Sequence, residues 1–298
     1  MTRRMCLLGV LLGFLSLGPH ITSAEAEEFI SPEILVLGDS QLTFGAGPTF
    51  LNFFDNIKER CAPTPEQSTY LQRLGKMRTS VIGVRSSTLQ SWVERSGRFK
   101  GMVCDVDPNW NVNAKGFGFV STRPDEFVQI GQGREYQFCE ADKSPFEAMF
   151  REDYYAPRLL FLTLMGGASY RWSNSPDFAR QDALDLVAQI PQGMPCIIMT
   201  RLPAHKQDIV DRRLRAQENL KTAFEETNSR CAFVSGLTPE TIEAFVGNNA
   251  FFRTNAAGVV KDPFHPIDTA AEHFFDLQAG NICRAIFDQL GTTFQPRG

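Results

Sequence analysis

The sequence predicts an α/β fold, a parallel five-stranded sheet wound with helices on both sides and carrying an inserted hairpin-rich lobe. Three observations predict it. Short apolar runs alternate with longer segments of helical period along almost the whole chain. The first run, Ile34 to Leu37, is continuously apolar, as in strands covered on both faces. One stretch, about 97–141, breaks the alternation with Gly, Asn, Asp and short alternating runs such as Phe117-Gly118-Phe119-Val120.

The elements follow in order. After Ile34–Leu37 and a Gly-rich turn (Gly45, Gly47, Pro48), Phe50, Phe53, Phe54, Ile57 and Cys61 recur on one helical face. Ser80 to Val84 is the second strand, and Ser86 to Val93 opens a helix. Beyond the inserted lobe, Ser144 with Pro145 and Glu147 signals a capped helix. Leu159 to Met165 is the third strand, followed by a helix with Ser175 as its cap and Pro176 at its first position. Cys196 to Leu202 is the fourth strand, Gln207 to Glu226 a long amphipathic helix, and Cys231 to Leu237 the fifth strand. Thr238-Pro239 opens another helix, and Thr269 with Glu272 forms a capping box for a terminal helix over about 270–290. No internal repeat or linker marks a second domain.

Residues 1–26 read as an export signal: Arg3 and Arg4, an apolar core over 5–18, then small residues at Ala24 and Ala26. Residues 27–298 then form the domain, with the insertion at about 97–141. The 30 basic and 34 acidic residues nearly balance, and no basic block suggests a nucleic-acid partner. No second apolar stretch matches the leader, so no membrane association is expected after its removal. Six cysteines follow the leader: Cys61, Cys104, Cys139, Cys196, Cys231 and Cys283. An even number in an exported chain suggests disulfides, and six cysteines allow 15 pairings. Cys104 and Cys139 bracket the insertion and are the favoured staple. Buried free thiols are the alternative for Cys196 and Cys231, which open apolar strands.

Ligands of a doubly wound sheet bind beyond the carboxyl ends of its strands. The residues expected there are Ser40 after the first strand, Gly83 and Arg85 at the second, 166–169 after the third and Arg201 to His205 after the fourth. Near the chain end stands Asp262-Pro263-Phe264-His265-Pro266, which must fold back onto the same edge. An ordinary hydroxyl is a poor nucleophile without a base. His265 can take the Ser40 proton and return it to a leaving alcohol, and Asp262 can hold the imidazole in the useful tautomer. Backbone N–H groups of Ser40 and Gly83 are candidates for an oxyanion hole.

These motifs resemble the SGNH (GDSL-type) hydrolase family of esterases and lipases. Gly38-Asp39-Ser40 matches its first block, with Gln41 in place of the name-giving leucine, a position where other residues are common. Gly83 matches its second-block glycine, and Asp262-x-x-His265 its last block. The resemblance covers essentially all of residues 27–298. It implies a flavodoxin-like three-layer α/β/α sandwich and ester hydrolysis or acyl transfer, with no cofactor and no metal. One block departs: Gly166-Gly167-Ala168-Ser169 stands where the family has Gly-x-Asn, so Ser169 is the substitute oxyanion donor and Asn174 a more distant one.

Arg85, Arg171, Trp172 and Arg201 are placed at the cleft mouth, where arginines with an aromatic suit a carbohydrate or acidic glycan; ordinary surface charge is the competing account. Trp92 and Trp110 flank the cleft or fill a core. His205 is read as a rim or solvated loop residue and His273 as packing or surface. The expected function is a periplasmic or secreted serine esterase removing acyl groups, foremost O-acetyl, from a carbohydrate or cell-envelope polysaccharide. Its rivals are a polysaccharide O-acyltransferase using the same triad and a catalytically degenerate glycan-binding protein.

Overall fold

In the computed structural model, residues 31–61, 71–94, 103, 116–121, 127–130, 138, 140, 142–164, 169–227 and 229–291 are described. The leader, the Cys104–Cys139 staple, Trp110 and the turn 165–168 lie outside them.

Burial explains the central strands. β1 (Ile34–Gly38), β2 (Thr79–Val84) and β5 (Leu159–Thr163) are buried at every position. This is the pattern of parallel strands covered on both faces. β6 (Cys196–Met199) and the short β7 (Ala232–Val234) continue the sheet. Both end before the expected boundaries at residues 202 and 237. The parallel strands lie in the order β2-β1-β5-β6-β7, the flavodoxin-like arrangement. The insertion supplies β3 (Gly116–Ser121) and β4 (Phe127–Ile130). They pair antiparallel with each other, and β3 adds to the β2 edge, so this part of the insertion extends the sheet to seven strands.

Helices complete a three-layer α/β/α fold. α1 (Gly47–Asp55) brings Phe50 and Phe54 against Phe161 of β5, and Phe50 and Phe53 against Phe275 of the C-terminal helix. Val36, Val81, Ile197 and Met199 share that core. Alternate strand residues (Leu35, Leu37, Leu160, Leu162) point to the other face and are equally buried. That side carries α3 (Leu89–Val93), α5 (Ser169–Asn174), α6 (Pro176–Gln189) and α7 (Gln207–Glu226), which pack on one another. Here α2 is Ile57–Arg60, α4 Pro145–Met149, α8 Pro239–Phe245 and α9 Asp268–Gly291.

The expected Ser144 capping box forms, with the Glu147 N–H donating to Ser144 Oγ at 3.0 Å and the Ser144 N–H to Glu147 Oε2 at 2.6 Å. Two expected caps do not form. Ser175 makes no side-chain cap hydrogen bond, leaving Pro176 as the start signal for α6. α9 begins at Asp268, with the Ala271 N–H donating to Ile267 O at 3.0 Å, so Thr269 lies inside its first turn.

Two disulfides close the described residues. Cys61–Cys283 joins the end of α2 to α9 across 222 positions, and Cys196–Cys231 ties the start of β6 to that of β7. The free-thiol alternative for Cys196 and Cys231 is therefore wrong. Cys231 directly precedes β7 beside β6, and their Cα atoms are 4.5 Å apart.

Candidate functional site

The site begins where β1 ends. Ser40 opens a helical turn directly after the strand, and a tight π-helical turn follows over Leu42–Ala46. That turn lies so close to the neighbouring strand that Gly83, in register with Gly38, has no room for a side chain. A Cβ on Gly83 would stand 2.7 Å from Leu42 Cβ and 3.1 Å from Asp39 O. Gly45, at φ 147°, bends the chain against the start of α9, and a Cβ there would stand 2.8 Å from an Asp268 oxygen. The head of the chain thus lies against the segment that carries the histidine.

That segment is a loop closed on itself by bridges between Phe252 and Pro266 and between Thr254 and Val260. Two further bonds hold its tip. The Gln41 side-chain amide donates to Phe264 O at 2.9 Å, and the His205 N–H donates to Pro263 O at 2.9 Å. His265 Nε2 consequently lies 2.8 Å from Ser40 Oγ, across 225 positions of sequence. Its Nδ1 lies 2.9 and 3.1 Å from the Asp262 carboxylate oxygens. Asp262 also accepts from the N–H groups of Phe264 and His265 and from Arg253 at 2.5 Å. The Phe44 ring lies 4.5 Å from the imidazole, with the Arg85 and Arg253 guanidiniums over it.

Burial lowers the His265 pKa below the ordinary imidazole value. The hydrogen bond to Asp262 raises it again, and the nearby Arg201 charge lowers it further. For Asp262, burial alone favours the neutral acid, but hydrogen bonds from His265, Phe264 and Arg253 outweigh it, and its pKa falls. Near neutral pH the pair is therefore a neutral imidazole held by a carboxylate. A hydroxyl 2.8 Å from such a nitrogen can transfer its proton to it.

The cavity over Ser40 and His265 has a volume of about 630 Å³. Its lining follows the order of the strands. Ser86 and Thr88 come from beyond β2, Ser169 and Tyr170 from α5 after β5, and Arg201 from beyond β6. Arg212 and Arg213 of α7 and Phe264 complete it.

No protein-family model and no curated protein matches the chain. Among solved structures, a DUF4886 family protein from Bacteroides uniformis is similar at 11% identity and a TM-score of 0.46, covering 90% of this chain and 97% of that one.

The structure brings Ser40, His265, Asp262, Ser169 and Arg201 together, sets Arg85 beside them, and separates other expected residues from this cluster. Gly83 is a buried strand residue fitted under Leu42 and does not line the cavity. Ser86, three positions on, does line it and holds φ 66°, a left-handed backbone uncommon outside glycine. Trp172 is fully buried, its indole N–H donating to Asp182 at 2.7 Å; it is a core residue, because α5 turns that face onto α6. Arg171 bonds Gln90 and stacks on Phe178 at 4.3 Å, joining α5 to α3 and α6 away from the cavity lining. Arg85 sits beside the triad, donating to Thr43 Oγ1 at 3.3 Å. Asn174 is exposed and does not line the cavity. Trp92 packs on Phe138 and Phe146 in a core. His205 bonds Asn249 at 2.8 Å as a support for the loop, and His273 packs on Phe251.

Gln41, Arg253, Arg212, Arg213 and Ser86 emerge only from the structure. One readable signal existed for Arg213. It occupies the buried stripe of α7 with Ile209, Val210, Ala216 and Leu220, an arginine where the 3.6-residue period calls for an apolar side chain.

Proposed function

We propose that this protein is an exported serine esterase of the SGNH type that hydrolyses acyl esters, foremost O-acetyl esters of a carbohydrate. The observation that carries this reading is the 2.8 Å contact between Ser40 Oγ and His265 Nε2, backed by the Asp262 carboxylate on the far ring nitrogen. Ser40 Oγ attacks the ester carbonyl carbon while its proton passes to His265 Nε2. The tetrahedral adduct expels the alcohol, which takes that proton from His265, leaving an acyl group on Ser40. Water, deprotonated by His265, then attacks the acyl-enzyme and releases the acid and the free serine. Asp262 keeps the Nδ1 proton in place and offsets the imidazolium charge in both half-reactions.

In this reading the oxyanion is received by the backbone N–H groups of Ser40 and Ser86, with the Ser169 hydroxyl in place of the family's Asn. Positions at the cavity support these roles for Ser86 and Ser169. Gly83 makes the close approach of the Ser40 turn possible instead. The disulfides Cys61–Cys283 and Cys196–Cys231 support an oxidising compartment, periplasmic or extracellular. Among the described residues, no helix is long and apolar enough to cross a membrane.

The test is turnover of p-nitrophenyl acetate by the full chain beside Ser40→Ala and His265→Ala. Each variant is expected to lose at least about 10³-fold in kcat, since triad members act as a unit. Equal rates in all three proteins would overturn the assignment.

A further inference from the structure

One half of the cavity is far more positively charged than ester hydrolysis requires. Ser86, Thr88, Ser169 and Tyr170 line the β2 and β5 side with hydroxyls. Arg201, Arg212 and Arg213 line the β6 and α7 side with guanidiniums. No carboxylate is among the described residues that line it.

Two of these cations are deeply buried, Arg201 at 5% and Arg213 at 3% exposure. Asp39 pairs with Arg201 at 3.3 Å. Among the described residues, no carboxylate comes within ion-pair distance of Arg212 or Arg213. Among the described residues, Arg213 has a single hydrogen bond, at 3.3 Å to Leu202 O, and lies 6.0 Å from the Phe264 ring centroid, while Arg212 Nε is buried without a hydrogen-bond partner.

Burying a cation without a counter-charge is costly, and arginine does not escape by losing its proton. Burial pushes the Arg213 pKa well down, and the neighbouring Arg201 and Arg212 add to this against a partial offset from Asp39 and Asp262. Such a cluster is satisfied by an anion entering from the cavity, which a planar guanidinium receives through two parallel bonds.

We propose that the β6 side of the cavity is an anion subsite, in which Arg201, Arg212 and Arg213 receive an acidic group carried by the substrate close to its ester. The word ester rests on the esterase reading; the subsite rests on the charge arrangement alone. At about 630 Å³ the cavity falls within the range of roughly 300–1,000 Å³ usual for small-molecule sites. It therefore has room for a sugar unit that presents an acyl group to Ser40 and an acidic group to the arginines. A uronic-acid carboxylate and a sulfate ester offer the same chemistry to a guanidinium.

Calorimetric titration of the full chain with methyl glucuronide, methyl glucoside 6-sulfate and neutral methyl glucoside tests this without any turnover. At least one acidic glycoside is expected to bind about tenfold or more tightly than the neutral one, with the gap narrowing in high salt as charge pairing is screened. The acidic arm that binds better identifies the source of the anion. Arg213→Met, and Arg212→Met at a half-exposed position that tolerates change, are expected to weaken acidic binding about tenfold while sparing the neutral glycoside. A gap below twofold would overturn the proposal. So would a gap that survives both variants, or an equal loss for charged and neutral glycosides. The gap is expected in Ser40→Ala as well. A gap without Ser40-dependent turnover would sink the esterase reading alone, and turnover without a gap would sink the subsite alone.

Discussion

At the scale of single residues, the site depends on the protonation state of His265 and on the bonds that aim it. Its pKa lies below the ordinary imidazole value because burial disfavours the cation, so the neutral base persists into mild acid. The acidic limb of kcat/KM for p-nitrophenyl acetate is therefore expected to have its midpoint below about pH 6.5, and a midpoint above that value would contradict the assignment. Stability follows the same sign. The unfolded chain binds protons at His265 and Asp262 more readily than the folded one, because both folded values are lowered. Their contributions are present above the unfolded values and are lost as pH falls through the folded ones. Denaturation midpoints should accordingly drop as pH falls below about 6.5 for His265, and again as it falls below about 3.8 for Asp262. Gln41 provides a second test. Gln41→Leu removes the donor to Phe264 O beside His265. It is expected to lower kcat about 10- to 100-fold with KM little changed, as small misplacements of a base do. The cluster of Ser40, Asp262 and His265 was legible in the sequence because the proposed chemistry calls for those residue types at the ends of elements. Gln41 was not, since its value lies in a bond across 223 positions that no local pattern encodes.

At the scale of elements, apolar runs identified all five parallel strands, while their ends were less well marked. Cys196–Met199 and Ala232–Val234 stop short because pairing ends before the apolar run does. The Trp172 placement failed for a related reason. A short helix of one and a half turns has too few residues for its period to show which face is buried, and the structure turns the indole onto Asp182. Burial raises the Asp182 pKa, and the Trp172 hydrogen bond opposes that rise. Trp172→Phe should therefore destabilise the fold by about 1–3 kcal/mol in urea titration, the usual cost of leaving a buried polar group unpaired. The second-block glycine was found at the right strand, and the structure shows a packing role for it that the sequence did not suggest. Gly83→Ala places a methyl 2.7 Å from Leu42 Cβ, under the Ser40 turn. It is expected to cost about 1–3 kcal/mol of stability through overpacking and to lower kcat by displacing Ser40. An alanine variant as stable and as active as the parent would contradict that packing role.

At the scale of the whole molecule, the fold joins distant parts of the chain at one sheet edge. The Cys61–Cys283 disulfide separately ties the end of α2 to α9 across 222 positions. Replacing both cysteines with serine should lower unfolding free energy by about 2–5 kcal/mol, read by urea titration under oxidising conditions. Sequence supplied the even number of cysteines but not their partners, because pairing is decided by where α9 packs on α1 and α2. The same packing carries Asp262 and His265 onto the Ser40 turn, and the proposed chemistry depends on that meeting. Fluorophosphonate labelling of the full chain with mass mapping of the adduct tests it most directly. The adduct is expected on Ser40, to be suppressed in His265→Ala, and to be slowed in acid as the imidazole gains its proton. An adduct elsewhere, or labelling of Ser40 that is indifferent to the loss of His265, would contradict the assignment.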